Sequence, residues 1–259
     1  MYLNLASVYV ILRKLEKATE FSRKGLKISK EIENKNLEVS AYASFADLYD
    51  HLGDLKASFE LGQKALGIAK ETGDKELEGD VYFSLGLIYC AWENFEKANE
   101  FLEQALSKAK ESGLKILEGF VNNNLGVVVQ NSLGNFARTE ELFKYSMKVF
   151  EETRDLLKNS KDEWKINFHD KLTNCYSDLW CQLLVQGKTT QALFTVERGR
   201  ARALRDLMES NYGVSSSEDL IERISRFSSY TSSSMVFLAE HYETLNFWVL
   251  LKGQQCQFV

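Results

Sequence analysis

Three histidines and four cysteines hold the widest chemical range in this chain, so their spacing decides what chemistry is open to it. A cysteine nucleophile needs a histidine base within hydrogen-bond reach. Among His51, His169, His241, Cys90, Cys175, Cys181 and Cys256, the only pair in the C-terminal region is His241 with Cys256. His241 falls at a turn and Cys256 in the next apolar run, with no oxyanion device or orienting residue beside them. A turn histidine and a strand thiol account for both. The cysteines form no CxxC pair and no framework spacing, which reads as reduced thiols in a cytoplasmic chain. There is no HExxH, no glycine-rich phosphate loop and no carboxylate pair with a site around it. The expectation is a chain without catalytic residues, metal ligands or cofactors.

Charge and hydropathy narrow the partners. The 259 residues carry a net charge of −5, which gives no global attraction to nucleic acid or an anionic membrane. No apolar run approaches the roughly 20 residues of a membrane span, and Lys, Glu and Arg within the first 16 residues argue against a signal peptide. "VERGRARALRDL" places Arg198, Arg202 and Arg205 on one helix face, but Glu197, Asp206 and Glu209 interleave. The arginines are expected to pair with carboxylates at a domain junction rather than to meet a nucleic acid.

What must position any binding residue is a repeat. Tyr9, Tyr49, Tyr89 and Val129 recur at intervals of 40, with Ala6, Ala46, Gly86 and Gly126 three places earlier and Leu5, Phe45, Leu85 and Leu125 before those. A second small set, Gly25, Ala65, Ala105 and Ser146, keeps step. Each unit reads as two helices around a break such as "LGDL" or "WENF". Small residues let the two axes approach to roughly 8–9 Å. With no proline in the chain, Gly73-Asp74, Gly113 and the polar "ENKN" separate the units. No unit buries its own apolar face, so the units stack into a solenoid. A fifth, degenerate hairpin follows. Gly187, Ala192 and Gly199 take its turn and small slots, Leu183 the aromatic slot and Trp180 the slot of Gly126. About 14 residues are inserted before it, lengthening the helix near 147–163, and the unit is expected to pack more openly than the others.

This pattern resembles tetratricopeptide repeats in their long-period form, without the usual proline after the second helix. The resemblance implies a mainly α fold, an α-α superhelix whose concave face is lined by the first helix of each unit and binds protein or peptide partners. In several long-period members an asparagine just before the leucine–small pair grips a ligand's backbone; here that slot holds Asn4, Ser44, Ser84 and Asn124. Neighbouring groove candidates at helical spacing are Asp47, Asp50, His51, Asn123, Val127, Gln130 and Asn131.

After Met208 the composition changes. "ESNYGVSSSED" and "SSYTSSS" read as loops around the short helix "DLIERISRF". Met235–Ala239 and Leu245–Leu251 read as strands around "EHYE", with a third from Gln255 to Val259. Repeats, the helix "ERGRARAL" and then strands resemble the opening of a CHAT domain, a caspase-like α/β fold, over about residues 190–259. The resemblance implies a short, truncated α/β segment, because the family's catalytic His and Cys lie further on. Met1 falls partway into a first helix with no cap, so the chain reads as a fragment. The expected organisation is four repeat units over 1–150, the first truncated; a fifth hairpin and junction helix over 151–210; and an incomplete CHAT-like start over 211–259.

The functional expectation is a cytoplasmic scaffold that binds partner peptides, with no nucleic acid or membrane partner. The resemblance extends to large animal scaffold proteins, one of which is associated with the mitotic spindle midzone, and so implies that location as an expectation. One alternative is the sensor half of a caspase-like protease. A weaker one is a G-protein-signalling or spindle-orientation adaptor, which the strands argue against. An unpaired apolar strand edge is a pairing template, so self-association is expected as well.

Overall fold

The computed structural model describes residues 2–157, 164–199, 235–241, 244–250 and 257–258. The expected helix "DLIERISRF", its flanking loops, Arg202, Arg205 and Cys256 lie outside the described residues.

Helices pair as the 40-residue period requires. The first four pairs are α1 (Tyr2–Ile11) with α2 (Leu15–Glu31), α3 (Lys35–His51) with α4 (Leu55–Thr72), α5 (Lys75–Ala91) with α6 (Phe95–Ser112), and α7 (Lys115–Leu133) followed by α8 (Phe136–Leu157). Then come α9 (Trp164–Val185) and a helix over 189–199, here α10. Strands β1 (Met235–His241), β2 (Thr244–Leu250) and β3 (Gln257–Phe258) form an antiparallel sheet in the order β1-β2-β3. Consecutive helix pairs thus build a tetratricopeptide-like solenoid, with little strand. No described helix is long and apolar enough to cross a membrane.

Helix starts recur every 20 residues. Asn34, Asp54, Asp74 and Asn94 each accept backbone N–H groups at the head of the following helix, satisfying donors that have no partner within it. Helix ends recur as well. Gly53, Gly134 and Gly187 in the hairpin turns, and Gly73 and Gly113 between units, take positive φ. Three slots in the same series hold side chains instead: Arg13 (φ 53°), Glu93 (φ 56°) and Glu33 (φ 53°). The turn geometry comes from the stacked helices on either side and holds even where the residue is not glycine.

The chain divides into two compact units, Met1–Asn135 and Phe136–Val259. In the first, the small slots work as spacers. Ala6, Ala65 and Ala105 are fully buried, and a Cβ on Gly86 would come within 2.8 Å of Leu102. A third small column, Ala18, Ser58 and Ala98, is fully buried as well, and Ser58 donates its hydroxyl to the Ala46 carbonyl at 2.7 Å. The tyrosines stack on the second helix of their own hairpin, Tyr9 on Phe21 at 5.3 Å and Tyr89 on Phe101 at 5.2 Å. Val10, Ala18, Phe45 and Leu48 join the first hairpin to the second.

The second unit closes differently. Residues 136–157 form a 22-residue helix against 18 for α6, and α9 is also 22 long. Trp180, in the slot of Gly126, does not leave the hairpin open to solvent. It is 4% exposed, and its ring meets that of the fully buried Trp248 of β2 edge-on at 5.7 Å. Ala192 is fully buried, and a Cβ on Gly199 would meet Tyr176 at 3.2 Å. Arg198 donates to Glu151 at 2.9 Å, and the same carboxylate accepts from Tyr176. The one described arginine of the basic stripe is therefore ion-paired. Burial would raise the Glu140 carboxyl, yet hydrogen bonds from Lys144 and Lys188 hold it down at about 2.

Candidate functional site: the first-helix face

Within the first unit, α1 packs on α3, α3 on α5 and α5 on α7, while α2, α4 and α6 barely touch one another. Closer neighbours in the layer of first helices than in the layer of second helices mean that the stack curves toward the first helices. The exposed side of α1, α3, α5 and α7 is therefore the concave side.

The centre of that face is the column Asp47, Leu87 and Val127, with Ser40, Asp80 and Phe120 two turns earlier. Asp47 and Asp80 are exposed, yet burial by the surrounding helices raises both carboxyls. Asp80 reaches about 6, with Glu76 and Asp74 adding repulsion. His51 sits 3.8 Å from Asp47 and partly offsets its rise.

The candidate residues fall as follows. Asn4, Asp50 and His51 are exposed, and Ser84, Asn123, Val127 and Gln130 are half-buried. Asn124 is half-buried and donates its amide to the Phe120 carbonyl at 2.9 Å, a bond that leaves Oδ1 as acceptor. Asn131 does the same toward Val127 at 2.8 Å. Ser84 donates to the Asp80 carbonyl at 3.0 Å. Ser44 is placed otherwise. It is buried, and its hydroxyl shares a 3.3 Å hydrogen bond with Ser22 of α2. It lies three residues after Ala41 and four before Leu48, both buried, so the inter-helix packing claims it.

Two features escaped the sequence reading. One is a glutamate at period 40: the buried Glu78 pairs with Lys108 at 2.8 Å, the buried Glu118 with Lys115 at 2.8 Å, and the half-buried Glu38 lies 3.5 Å from Lys35. The interval of 40 itself could have revealed it. The other is Asp80, which stands where Ser40 and Phe120 stand in the neighbouring units and so belongs to no repeat pattern. Phe83 and Phe120 lie beside it in the sequence pattern, with ring centroids 6.4 Å apart.

Burial pushes the thiol of Cys90 up to about 11, and burial with Asp178 pushes that of Cys181 up to about 12. Both are therefore poor nucleophiles at neutral pH. Cys175 is buried against the Ser146 hydroxyl at 3.4 Å. Among the described residues, no group of three or more His, Cys, Asp or Glu could hold a metal ion.

The described helices form a tetratricopeptide-like helical solenoid. Residues 1–71 and 40–111 match the tetratricopeptide repeat family model. Among solved structures, the chain is similar to BtubC (BKLC) from P. vanneervenii, at 21% identity and TM-score 0.63, over 83% of this chain and 82% of that one. It is similar to a Rap protein complexed with competence and sporulation factor, at 18% identity and TM-score 0.64, over 78% of this chain and 53% of that one. It also resembles a STAND signal-transduction ATPase with a tetratricopeptide repeat sensor from Pyrococcus horikoshii, at 20% identity and TM-score 0.52, over 87% of this chain and 38% of that one. These likenesses concern the fold. The comparison with curated protein sequences finds no significant match.

Proposed function

We propose that this chain is a non-catalytic, cytoplasmic interaction scaffold that captures a linear segment of a partner protein on the face of α1, α3, α5 and α7. The observation that carries the reading is the face shared by α1, α3, α5 and α7, on which Asn4, Asp47, Asp80 and Leu87 are exposed and Asn124 is half-buried. An asparagine offers both donor and acceptor to a peptide backbone. The Rap protein complexed with competence and sporulation factor supports the reading by fold.

Peptide display against the full chain, with Asn124→Ala in parallel, tests it. Enrichment of one linear motif that Asn124→Ala weakens supports a peptide-reading groove. A folded, helical sample that enriches nothing rejects it.

The second reading keeps the CHAT resemblance: the repeats sense a ligand for a caspase-like domain. It is favoured by the burial of Trp248 against Trp180 and by the Arg198–Glu151 pair, which tie strand and junction helix to the second unit. Tryptophan emission during peptide titration separates the two. A change that Trp180→Phe abolishes supports sensing, and a silent signal at saturation supports a plain scaffold.

A further inference from the structure

The first helices divide their charges in an uneven way. Their lysines, Lys35, Lys75 and Lys115, stand at the first residue of α3, α5 and α7, and Lys35 and Lys115 lie against the half-buried Glu38 and the buried Glu118. Lys75 is 2.7 Å from Glu111 of α6. The remaining carboxylates, Asp47, Asp50, Glu76 and Asp80, lie toward the concave side of α3 and α5. Among the described residues, only Asp47 has a basic neighbour there, the imidazole of His51. Among the described residues, the face thus carries negative charge that no lysine or arginine pairs with.

Beside each central carboxylate the repeat places an apolar side chain. Leu87 occupies on α5 the position of Asp47 on α3, and Phe120 occupies on α7 the position of Asp80 on α5. Adjacent helix axes lie about 9 Å apart, which an extended peptide spans in about three residues at ~3.3 Å each. Leu87 is 38% exposed, enough to offer an apolar contact.

Resting on the groove reading above, we propose that the occupant is a basic linear segment of a partner protein. It sets a Lys or Arg against Asp47 or Asp80 and a large apolar side chain about three residues away against Leu87 or Phe120. Charge complementarity selects it. A cation meets Asp80 with no described lysine or arginine to displace and Asp47 with only the His51 imidazole beside it, whereas an acidic segment meets carboxylates of like charge. The neighbouring ring pair of Phe83 and Phe120 adds a surface that a guanidinium can lie on.

The test uses a random-sequence dodecapeptide display library on the full chain, followed by anisotropy titration of the best binder. Recovered peptides are expected to carry net positive charge with a large apolar residue near the basic one. Asp80→Asn and Asp47→Asn are each expected to weaken the best binder by about three- to tenfold, with binding falling as salt rises. Glu103→Gln on the exposed side of α6 is expected to leave it unchanged. Recovery of acidic or neutral peptides that the groove still reads would overturn this inference and leave the groove reading standing. Basic peptides bound equally well by both Asn variants would overturn it too. Recovery of no peptide by a folded chain would overturn both.

Discussion

Asp80 is the residue at which stability and binding part company. Its carboxyl is raised to about 6 by burial and by Glu76 and Asp74. The folded state therefore holds the proton more tightly than the unfolded chain does. The ionised form costs stability as pH rises from about 4 through about 6. Asp80→Asn removes that cost, so at pH 7.5 it should stabilise the chain, by an order of 1 kcal/mol once solvent screening is allowed for. Thermal melts at pH 7.5 and 4.5 check this: the gain should be present at the first and largely gone at the second. A structural surface carboxylate would show no such dependence.

Glu93 gives a second residue-scale prediction. It holds φ 56° in the slot that Gly53 and Gly134 fill in other units. A left-handed non-glycine residue costs about 1–2 kcal/mol, offset in part by the extra chain entropy glycine loses on folding. Glu93→Gly should therefore raise stability by about 0.5–1 kcal/mol in denaturant titration. Neither Asp80 nor Glu93 was legible from residue type. One fills a slot that differs in every unit, and the other breaks the glycine rule its own neighbours obey.

At the scale of the element, the sequence carried much more. An interval of 40 with small, aromatic and leucine slots in phase can be met only by stacked helical hairpins, and α1 to α6 follow that reading closely. Strands β1 and β2 were legible because β-branched and aromatic residues flank a turn. Ser44 was misplaced for a physical reason: the slot lies at the margin between packed and open faces, and in this unit Ser22 draws it inward. The small slots were legible as types, though not in their tolerance. Gly86→Val should destabilise the chain by about 1–3 kcal/mol, because even a Cβ would come within 2.8 Å of Leu102. Gly67→Ala, on the open side of α4 with nothing within 4 Å, should stabilise it by up to about 1 kcal/mol. Chemical denaturation of the pair checks both signs. A common sign would contradict the spacer role of Gly86.

At the scale of the molecule, two units share one kind of helical hairpin but finish differently. The first has an exposed side along α1, α3, α5 and α7 on which Asn4, Asp47, Asp80 and Leu87 lie. The second buries Trp180 and Trp248 together and draws Arg198, Glu151 and Tyr176 into one polar cluster. Among the described residues, β1 is paired on one side only. Its free edge is expected to drive self-association, seen as a sedimentation coefficient that rises with concentration. A concentration-independent monomer would contradict that expectation.

The most direct test of the central claim is hydrogen exchange on the full chain with and without a peptide recovered by display. The account predicts added protection in α3, α5 and α7, strongest around Asp80–Leu87 and Asn124–Val127, and none in α2, α4 and α6. Protection confined to the second helices, or to the strands of the second unit, would contradict it.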